Sequence, residues 1–417
     1  IPVRTLAHAA RLVREARQLP SYGIDVGEIS LDYMQVLARA REVVREAAVH
    51  STLRAQIDHA GVAVYEQAGT ARFVDPNTLE SEGAPAIHAA KIIICAGGIS
   101  RRLNLPGFEL TVTPADAFGL SAAPTSLLVV GAGATGAQVA SIFNAFGTRV
   151  ALLQAGPRIL PTEDELVSSA MADAFREDGI QVLEDFGAID RFEAISDGVR
   201  MIFSKDGVQR SAQAQLAVSA VGWLADTEGL NLPAAGVELD ERGRVRVDEY
   251  LQTSTTHIFA AGDIIGRLTL VPQAVQDGFL AATNALSAER ITRSTSADPI
   301  GSFTDPEYAQ VGLTEAAARA AHEVLVAIAY YKETTRPIID GRTRGFCKLV
   351  IDPRTRALLG CHIVGERAVE VAQMASIAMT AQLTIEGLAR IPLSFPTYGN
   401  VLGRAALRAV RMLNDRA

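Results

Sequence analysis

The stretch SLLVVGAGATGAQVA, residues 126–140, restricts the fold of this chain more than any other segment. An apolar run leads into Gly131, Gly133 and Gly136, spaced as GxGxxG, and small residues follow them. In such a strand–turn–helix the first glycine permits a tight turn. The second lets backbone come up against a pyrophosphate, and the third lets helix and strand pack closely. The helix N-terminus then offers unpaired N–H groups to phosphate. A second strand, TRVALL at 148–153, gives the βαβ order of a dinucleotide-binding domain. A tight turn in an unrelated α/β domain is the plainer alternative.

The end of that second strand bears on which dinucleotide is bound. An acid there accepts from the ribose 2'-hydroxyl in NAD-selective sites. Here the position is Gln154, which is neutral and does not repel a 2'-phosphate; Arg158 follows closely as a cationic partner for one. The pair leans slightly towards NADPH. A solvated surface arginine is the plainer reading of Arg158.

More than a hundred residues precede the glycine loop, so a chain of 417 residues holds more than this one domain. Two helical patterns come first, over 4–18 and over 31–60, then strands and turns with a turn at Asp75-Pro76-Asn77. KIIICAGG at 91–98 and THIFAAGD at 256–263 read as strands that turn sharply at their C-terminal ends. Ligands of doubly wound sheets sit beyond such ends. Gly97, Gly262 and Asp263 are therefore cofactor candidates, with Asp263 accepting from ribose or ribityl hydroxyls; an N-cap of the following helix is its plainer role. From about 300 onward, strands at VLVAIAYYK, FCKLVID and ALLGCHIVG alternate with helices near 366–380 and 401–413, an α+β pattern.

Composition narrows the function. The formal net charge of -8 disfavours a general nucleic-acid binder. Cys95, Cys347 and Cys361 form no CxxC, and no histidine spacing suggests a metal, so no metal site is expected. Cys95 reads as a buried small hydrophobe, and Cys347 and Cys361 as structural residues on separate strands, with a cross-strand thiol pair as the alternative. Glu163, Asp164 and Glu165 read as an acidic helix N-terminus. No uncharged apolar run is long enough to span a membrane, and no signal peptide is visible. The expected compartment is the cytoplasm. The chain lacks an initiator Met, so a fragment or processed product is expected.

At this point the chain resembles the FAD-dependent pyridine nucleotide-disulfide oxidoreductases, the group holding dihydrolipoamide dehydrogenase, glutathione reductase and mercuric reductase. The resemblance runs from end to end. IPVRTLAH, residues 1–8, resembles the segment directly after the family's redox-active cysteine pair. IIICAGG at 92–98 resembles its ATG stretch, and TTHIFAAGD at 255–263 its second FAD-contacting motif. FTDPEYAQVGLTE at 303–315 resembles the start of its dimerisation domain. The resemblance implies an α/β fold in which a Rossmann-type NAD(P) domain, 116–246, is inserted in an incomplete FAD domain, 1–115 and 247–300. An α+β dimerisation domain, 301–417, completes it. It implies FAD and NAD(P)H as cofactors, a homodimer, and hydride transfer from NAD(P)H to flavin and on to a small-molecule acceptor: disulfide, quinone or metal ion. The first βαβ unit of the FAD domain would lie upstream, so this chain alone is expected to hold FAD weakly.

The departures matter as much. Arg4 stands where the resemblance places a lysine near flavin N5, and Gln138 where it places the glutamate pairing with that lysine. The cation is kept and its counter-charge is expected to be lost. Phe395 replaces a proton-exchanging histidine and Asn400 its orienting glutamate, and the tail carries no cysteine pair. Thiol and mercuric chemistry both lose residues they need. Tyr398 is a candidate weak donor near the acceptor, with interface packing the plainer role, and His8 is read as packed in a core or interface. Two other functions stay open: a non-catalytic dimeric nucleotide-binding fragment or scaffold, and a pyridine nucleotide transhydrogenase.

Overall fold

Continuous apolar runs become buried parallel strands when both faces of the sheet are covered. Ser126–Val130 is such a run, and Leu127 to Val130 are all buried. The computed structural model describes residues 1–292 and 296–415. The chain divides into two units. One comprises Ile1–Ala47, Arg102–Val221 and Ser296–Ala417, and the other Ala48–Arg101 and Gly222–Thr295.

In the first unit the Ser126–Val130 strand lies second in a parallel sheet. The order is Leu216–Ser219, Ser126–Val130, Arg149–Leu153, Gln181–Leu183. Helices Ala134–Ala145 and Glu165–Glu177 provide the crossovers. An antiparallel meander, Ala188–Ile195, Gly198–Lys205 and Val208–Ala214, is inserted before the final parallel strand. Helix Pro2–Gln18 buries Leu6, Ala7 and Ala10 in the same core as Val139 and Phe143. The expected βαβ alternation with an inserted meander is therefore what forms.

The same unit contains a five-stranded antiparallel sheet in the order Ile300–Ser302, Tyr308–Gly312, Leu358–Val364, Phe346–Ile351, Leu325–Tyr330. Helices Ala368–Thr380 and Asn400–Asn414 share a core with it. All six residues of Phe346–Ile351 are buried, because this inner strand has apolar cover on both faces. The first two strands of the sheet gave no clear sequence signal. Cys347 and Cys361 are fully buried on neighbouring strands, their sulfurs 3.8 Å apart, as free thiols.

One residue of this inner strand is charged. Lys348 is 4% exposed. Its Nζ lies 2.8 Å and 3.0 Å from the two Asp164 carboxylate oxygens and 2.7 Å from Glu315 Oε2. Asp164 also accepts from the Leu166 N–H, capping helix Glu165–Glu177, and from the Glu315 N–H. Burial alone would raise this carboxyl, but Lys348 and the Glu315 N–H hold it below the usual range. The acidic run at 163–165 is thus a helix cap, tied by one buried ion pair to the antiparallel sheet.

In the second unit, Arg72–Asp75, Thr78–Ser81 and Ala84–His88 form an antiparallel sheet, with the Asn77 N–H donating to Asp75 Oδ1 in the expected turn. Ile92–Ile94 pairs in parallel with Ile258–Ala260, and Gly98–Ser100 pairs with Trp223–Ala225.

Two expectations fail. The helix read over 31–60 is two helices, Tyr33–His50 and Leu53–His59. Thr52 between them is left-handed, at φ 55°, and the Ser51 hydroxyl donates to the Ala48 carbonyl, a side-chain alternative to helical bonding. Cys95 is exposed rather than buried. It falls in step with exposed Ile93, on the outward face of a strand whose Ile92 and Ile94 are buried.

Replacing Lys348 with methionine would leave the buried Asp164 carboxylate without its cation, beside the half-buried Glu315. The expected loss is about 3–5 kcal/mol of unfolding free energy by denaturant titration. A loss under about 1 kcal/mol would show that the ion pair is dispensable.

Candidate functional site

The three loop glycines do different work. A Cβ on Gly131, at φ 96°, would lie 2.3 Å from the Ala220 carbonyl oxygen, and one on Gly136 would lie 1.9 Å from the Gly131 carbonyl oxygen. Both contacts are impossible, so these two residues are glycine for packing. A Cβ on Gly133 would meet nothing within 4 Å, and its φ of -75° suits any residue. Gly133 is glycine with no demand from the protein itself, which fits a residue kept small for a ligand. It caps helix Ala134–Ala145, whose first intrahelical bond runs from the Ala137 N–H to the Gly133 carbonyl. The N–H groups before it are the set a phosphate takes up.

The segment after the second strand hangs from this loop. Gln154 Oε1 accepts from the Ala132 N–H at 2.9 Å, and the Leu160 N–H donates to the Ala132 carbonyl at 2.7 Å. Leu160 takes φ 47°, unusual for a branched residue, to make that bond. Arg158 is half-buried, and its Nη2 donates to the Pro161 and Glu163 carbonyls at 3.1 Å and 3.2 Å. Arg158 is thus not a simple solvated surface arginine.

In the second unit, Gly97 has φ 81° and open space at its Cβ position. A Cβ on Gly98 would lie 3.0 Å from the Leu224 carbonyl oxygen and 3.5 Å from Asp263 Cβ, which places Asp263 beside the paired glycines. Gly262, at φ 78°, opens the short turn that carries Asp263. Asp263 is half-buried, burial raises its carboxyl, and it accepts no side-chain hydrogen bond among the described residues. It does not cap the following helix, Val271–Leu286, whose cap position is Leu270. Asp263 is thus an acceptor beside unobstructed glycine backbone.

Arg4 lies at the start of the first helix. Its guanidinium sits 4.0 Å over the Phe303 ring and 3.6 Å from Glu307 Oε1. Gln138 turns back to the Ala134 carbonyl of its own helix. The counter-charge expected to be lost with Gln138 is therefore supplied by Glu307, a residue that sequence spacing did not single out. Glu307 is 7% exposed. Burial, then repulsion from Glu370 and Glu366, raises it to about 7 against the pull of Arg4. His8, read as packed in a core or interface, is exposed on this chain and so is not a core residue, because it faces away from the Leu6 and Ala10 stripe of the helix. The Tyr398 hydroxyl donates to Asp340 Oδ2 at 2.7 Å and its ring lies against Tyr331. Burial, then that bond, raises its phenol. Phe395 is 74% exposed, and Asn400 accepts from the Thr397 N–H, serving the backbone of the final helix. No group of three or more metal-ligating side chains occurs among the described residues.

The profile of the pyridine nucleotide-disulphide oxidoreductase family matches residues 6–278, and that of its dimerisation domain residues 299–406. The chain belongs to this family. The family is FAD-dependent and uses NAD(P)H. Mercuric reductase of Bacillus cereus is 30% identical over 410 residues, covering 98% of this chain and 64% of that protein. Dihydrolipoyl dehydrogenase of Mycobacterium tuberculosis is 31% identical over 417 residues, covering 96% and 87%. The chain thus spans just under two thirds of the first relative's length and most of the second's. Among solved structures, LpdA from Mycobacterium tuberculosis superposes with a TM-score of 0.88 at 24% identity, covering 98% of this chain and 89% of that one. The HOCl-induced flavoprotein disulfide reductase RclA from Escherichia coli, in its Cu(II) complex, gives 0.84 at 24%, covering 97% and 88%. These likenesses place the fold. No helix among the described residues is long and apolar enough to cross a membrane.

Two measurements test the site. Gly133→Ala should fold with stability within about 0.5 kcal/mol of the parent, yet bind NADPH about a hundredfold more weakly. Gly136→Ala should lose stability outright, and equal melting of the two variants would contradict these roles. Glu307 gives a pH signature. Its folded value, about 7, exceeds the ordinary 4.5, so its protonated form is favoured by folding. That contribution is complete below the ordinary value and is lost as pH rises through the folded one. Glu307→Gln should therefore gain stability relative to the parent by about 2 kcal/mol between about pH 5 and about pH 8. A pH-independent difference would refute the assignment.

Proposed function

We propose that this chain is a flavin-dependent oxidoreductase that takes hydride equivalents from NAD(P)H through FAD to a small-molecule acceptor, and works as a homodimer. The observation that carries the reading is the open Gly133 cradle, with Gly131 and Gly136 locked around it and a helix N-terminus behind it. The dimerisation-domain match supports the homodimer. The division proposed is a FAD domain over 1–115 and 247–300, an NAD(P) domain over 116–246, and a dimerisation domain over 301–417.

Each residue has a bounded role. The first N–H groups of helix Ala134–Ala145 hold the pyrophosphate. Gln154 keeps the loop in shape through Ala132 and puts no carboxylate against a 2'-phosphate, which supports the lean to NADPH. Gly97, Gly262 and Asp263 hold the hydroxylated chain of FAD. When bound, flavin supplies the two-electron to one-electron conversion that side chains cannot. Arg4, fixed over Phe303 and against Glu307, holds positive charge at the start of the first helix and favours an anion beside it. Tyr398 has its proton committed to Asp340, which weighs against a donor role. Phe395 and Asn400 cannot exchange protons with a dithiol, so acceptors that need no such proton relay fit better than disulfides.

Anaerobic mixing of the chain with excess FAD and NADPH should bleach the flavin absorbance at least about a hundredfold faster than free FAD. The Gly133→Ala variant should not accelerate it. With FAD shown to be bound, bleaching by neither NADPH nor NADH would sink the proposal, and a strong NADH preference would sink the lean to NADPH.

A further inference from the structure

The stripe of helix Pro2–Gln18 that buries Ala7 and Ala10 continues at helical spacing into Arg14 and Arg17. Both cations lie against the C-terminal half of helix Ala134–Ala145. Arg14 Nη2 donates to the Ser141 carbonyl at 2.6 Å and to Ser141 Oγ at 2.9 Å, and Arg17 Nη2 donates to the Ala145 carbonyl at 3.3 Å. Arg342 and Arg344 come from the loop between helix Thr335–Ile339 and strand Phe346–Ile351. That loop is fastened to the end of the first helix: Gln18 Nε2 donates to the Asp340 carbonyl at 3.0 Å, and the Tyr22 hydroxyl to the Ile339 carbonyl at 2.7 Å. The four arginines line one open cavity of about 470 Å³. Small-molecule sites are of about 300–1,000 Å³.

The acids around this cavity do not balance the cations. Arg344 is matched by Asp178 at 3.0 Å and Glu177 at 3.1 Å. Glu366 is engaged by Arg11 at 2.6 Å. Asp305 remains, and its Oδ2 lies 3.4 Å from both Arg14 and Arg342. Arg17 meets a helix carbonyl and no carboxylate among the described residues. Arg14, Arg17 and Arg342 thus share one carboxylate. Burial lowers the Arg14 guanidinium; Asp305 and Asp178 pull against that, and Arg342 and Arg17 add to it. The bare carbonyl end of a helix repels anions. Here Arg14 and Arg17 cover the carbonyls of Ser141 and Ala145 and reverse the sign.

We propose that this cavity is a second anion site, which takes a dianionic phosphoryl group between Arg14, Arg17 and Arg342. Two charges on the ligand answer the two cations left over, where a single carboxylate brings only one. Forked guanidiniums hold phosphate oxygens in pairs. The ligand is free phosphate or the phosphate of a monoester. Bound there, it ties the end of the first helix to the 340–345 loop and to helix Ala134–Ala145. The glycine cradle lies at the other end of that helix, roughly 16 Å away by helical rise, so the two sites are separate.

Isothermal titration of the full chain with inorganic phosphate and with glucose 6-phosphate, at constant ionic strength in chloride, reads the site without flavin or turnover. At about pH 8 both probes are dianions. The parent should bind at least one with a Kd of about 1 mM or tighter, and the tighter of the two tells free ion from ester. Arg17→Gln removes a side chain that holds only a helix carbonyl, and should weaken this binding about tenfold. Arg342→Gln should do the same. Gly133→Ala should leave it within about twofold. NADH carries no phosphate monoester, so both arginine variants should bind it as the parent does. Binding of neither probe by the parent up to about 20 mM would overturn the inference. Undiminished phosphate binding in both arginine variants would overturn it too, and its loss in Gly133→Ala would move the anion to the glycine cradle. Phosphate bound with the expected arginine dependence, but NADH bound by no protein, would remove the dinucleotide reading and leave this site standing.

Discussion

The contact between Gly136 and the Gly131 carbonyl governs the rest of the nucleotide domain. With only 1.9 Å between that oxygen and a hypothetical Cβ, the helix can seat itself on the strand end in one way only. That seating fixes the direction of the helix N-terminus and the position of Ala132. Ala132 in turn carries the Gln154 side chain and the Leu160 amide. A packing constraint of a single methyl group thus sets the phosphate site and the loop beside it.

Charge arranges the other end of the first unit. Helix Pro2–Gln18 is held by Arg4 to Glu307, Arg11 to Glu366 and Arg14 to Asp305. Burial raises both Glu307 and Glu366, so this helix rests on acids reluctant to ionise. The Lys348 pair differs: there the carboxylate is held low and the link serves as a fixed strut between helix cap and sheet. Similar residue types therefore act as a brace in one place and as a protonation-sensitive contact in another, according to what surrounds them.

What could be read in the sequence was local. SLLVVGAGATG carries its strand, turn and helix within a few residues, and the tight turn at Gly131 and the close helix–strand approach at Gly136 follow from that spacing. The turn at Asp75-Pro76-Asn77 and the three long strands after 320 were equally legible, since each is set by near neighbours. The counter-charge of Arg4 was not, because Glu307 lies some three hundred positions away and nothing in its own neighbourhood marks it. The break at Thr52 was missed because the apolar spacing continues through it, while the Ser51 hydroxyl decides the local backbone. Cys95 was misjudged because an apolar run promises burial only where another layer covers it.

The two sulfurs of Cys347 and Cys361 sit at van der Waals range in a layer with no measurable exposure. Reagents cannot reach them without prising adjacent strands apart. Their alkylation rate therefore serves as a built-in clock for breathing of the antiparallel sheet, readable without any added probe.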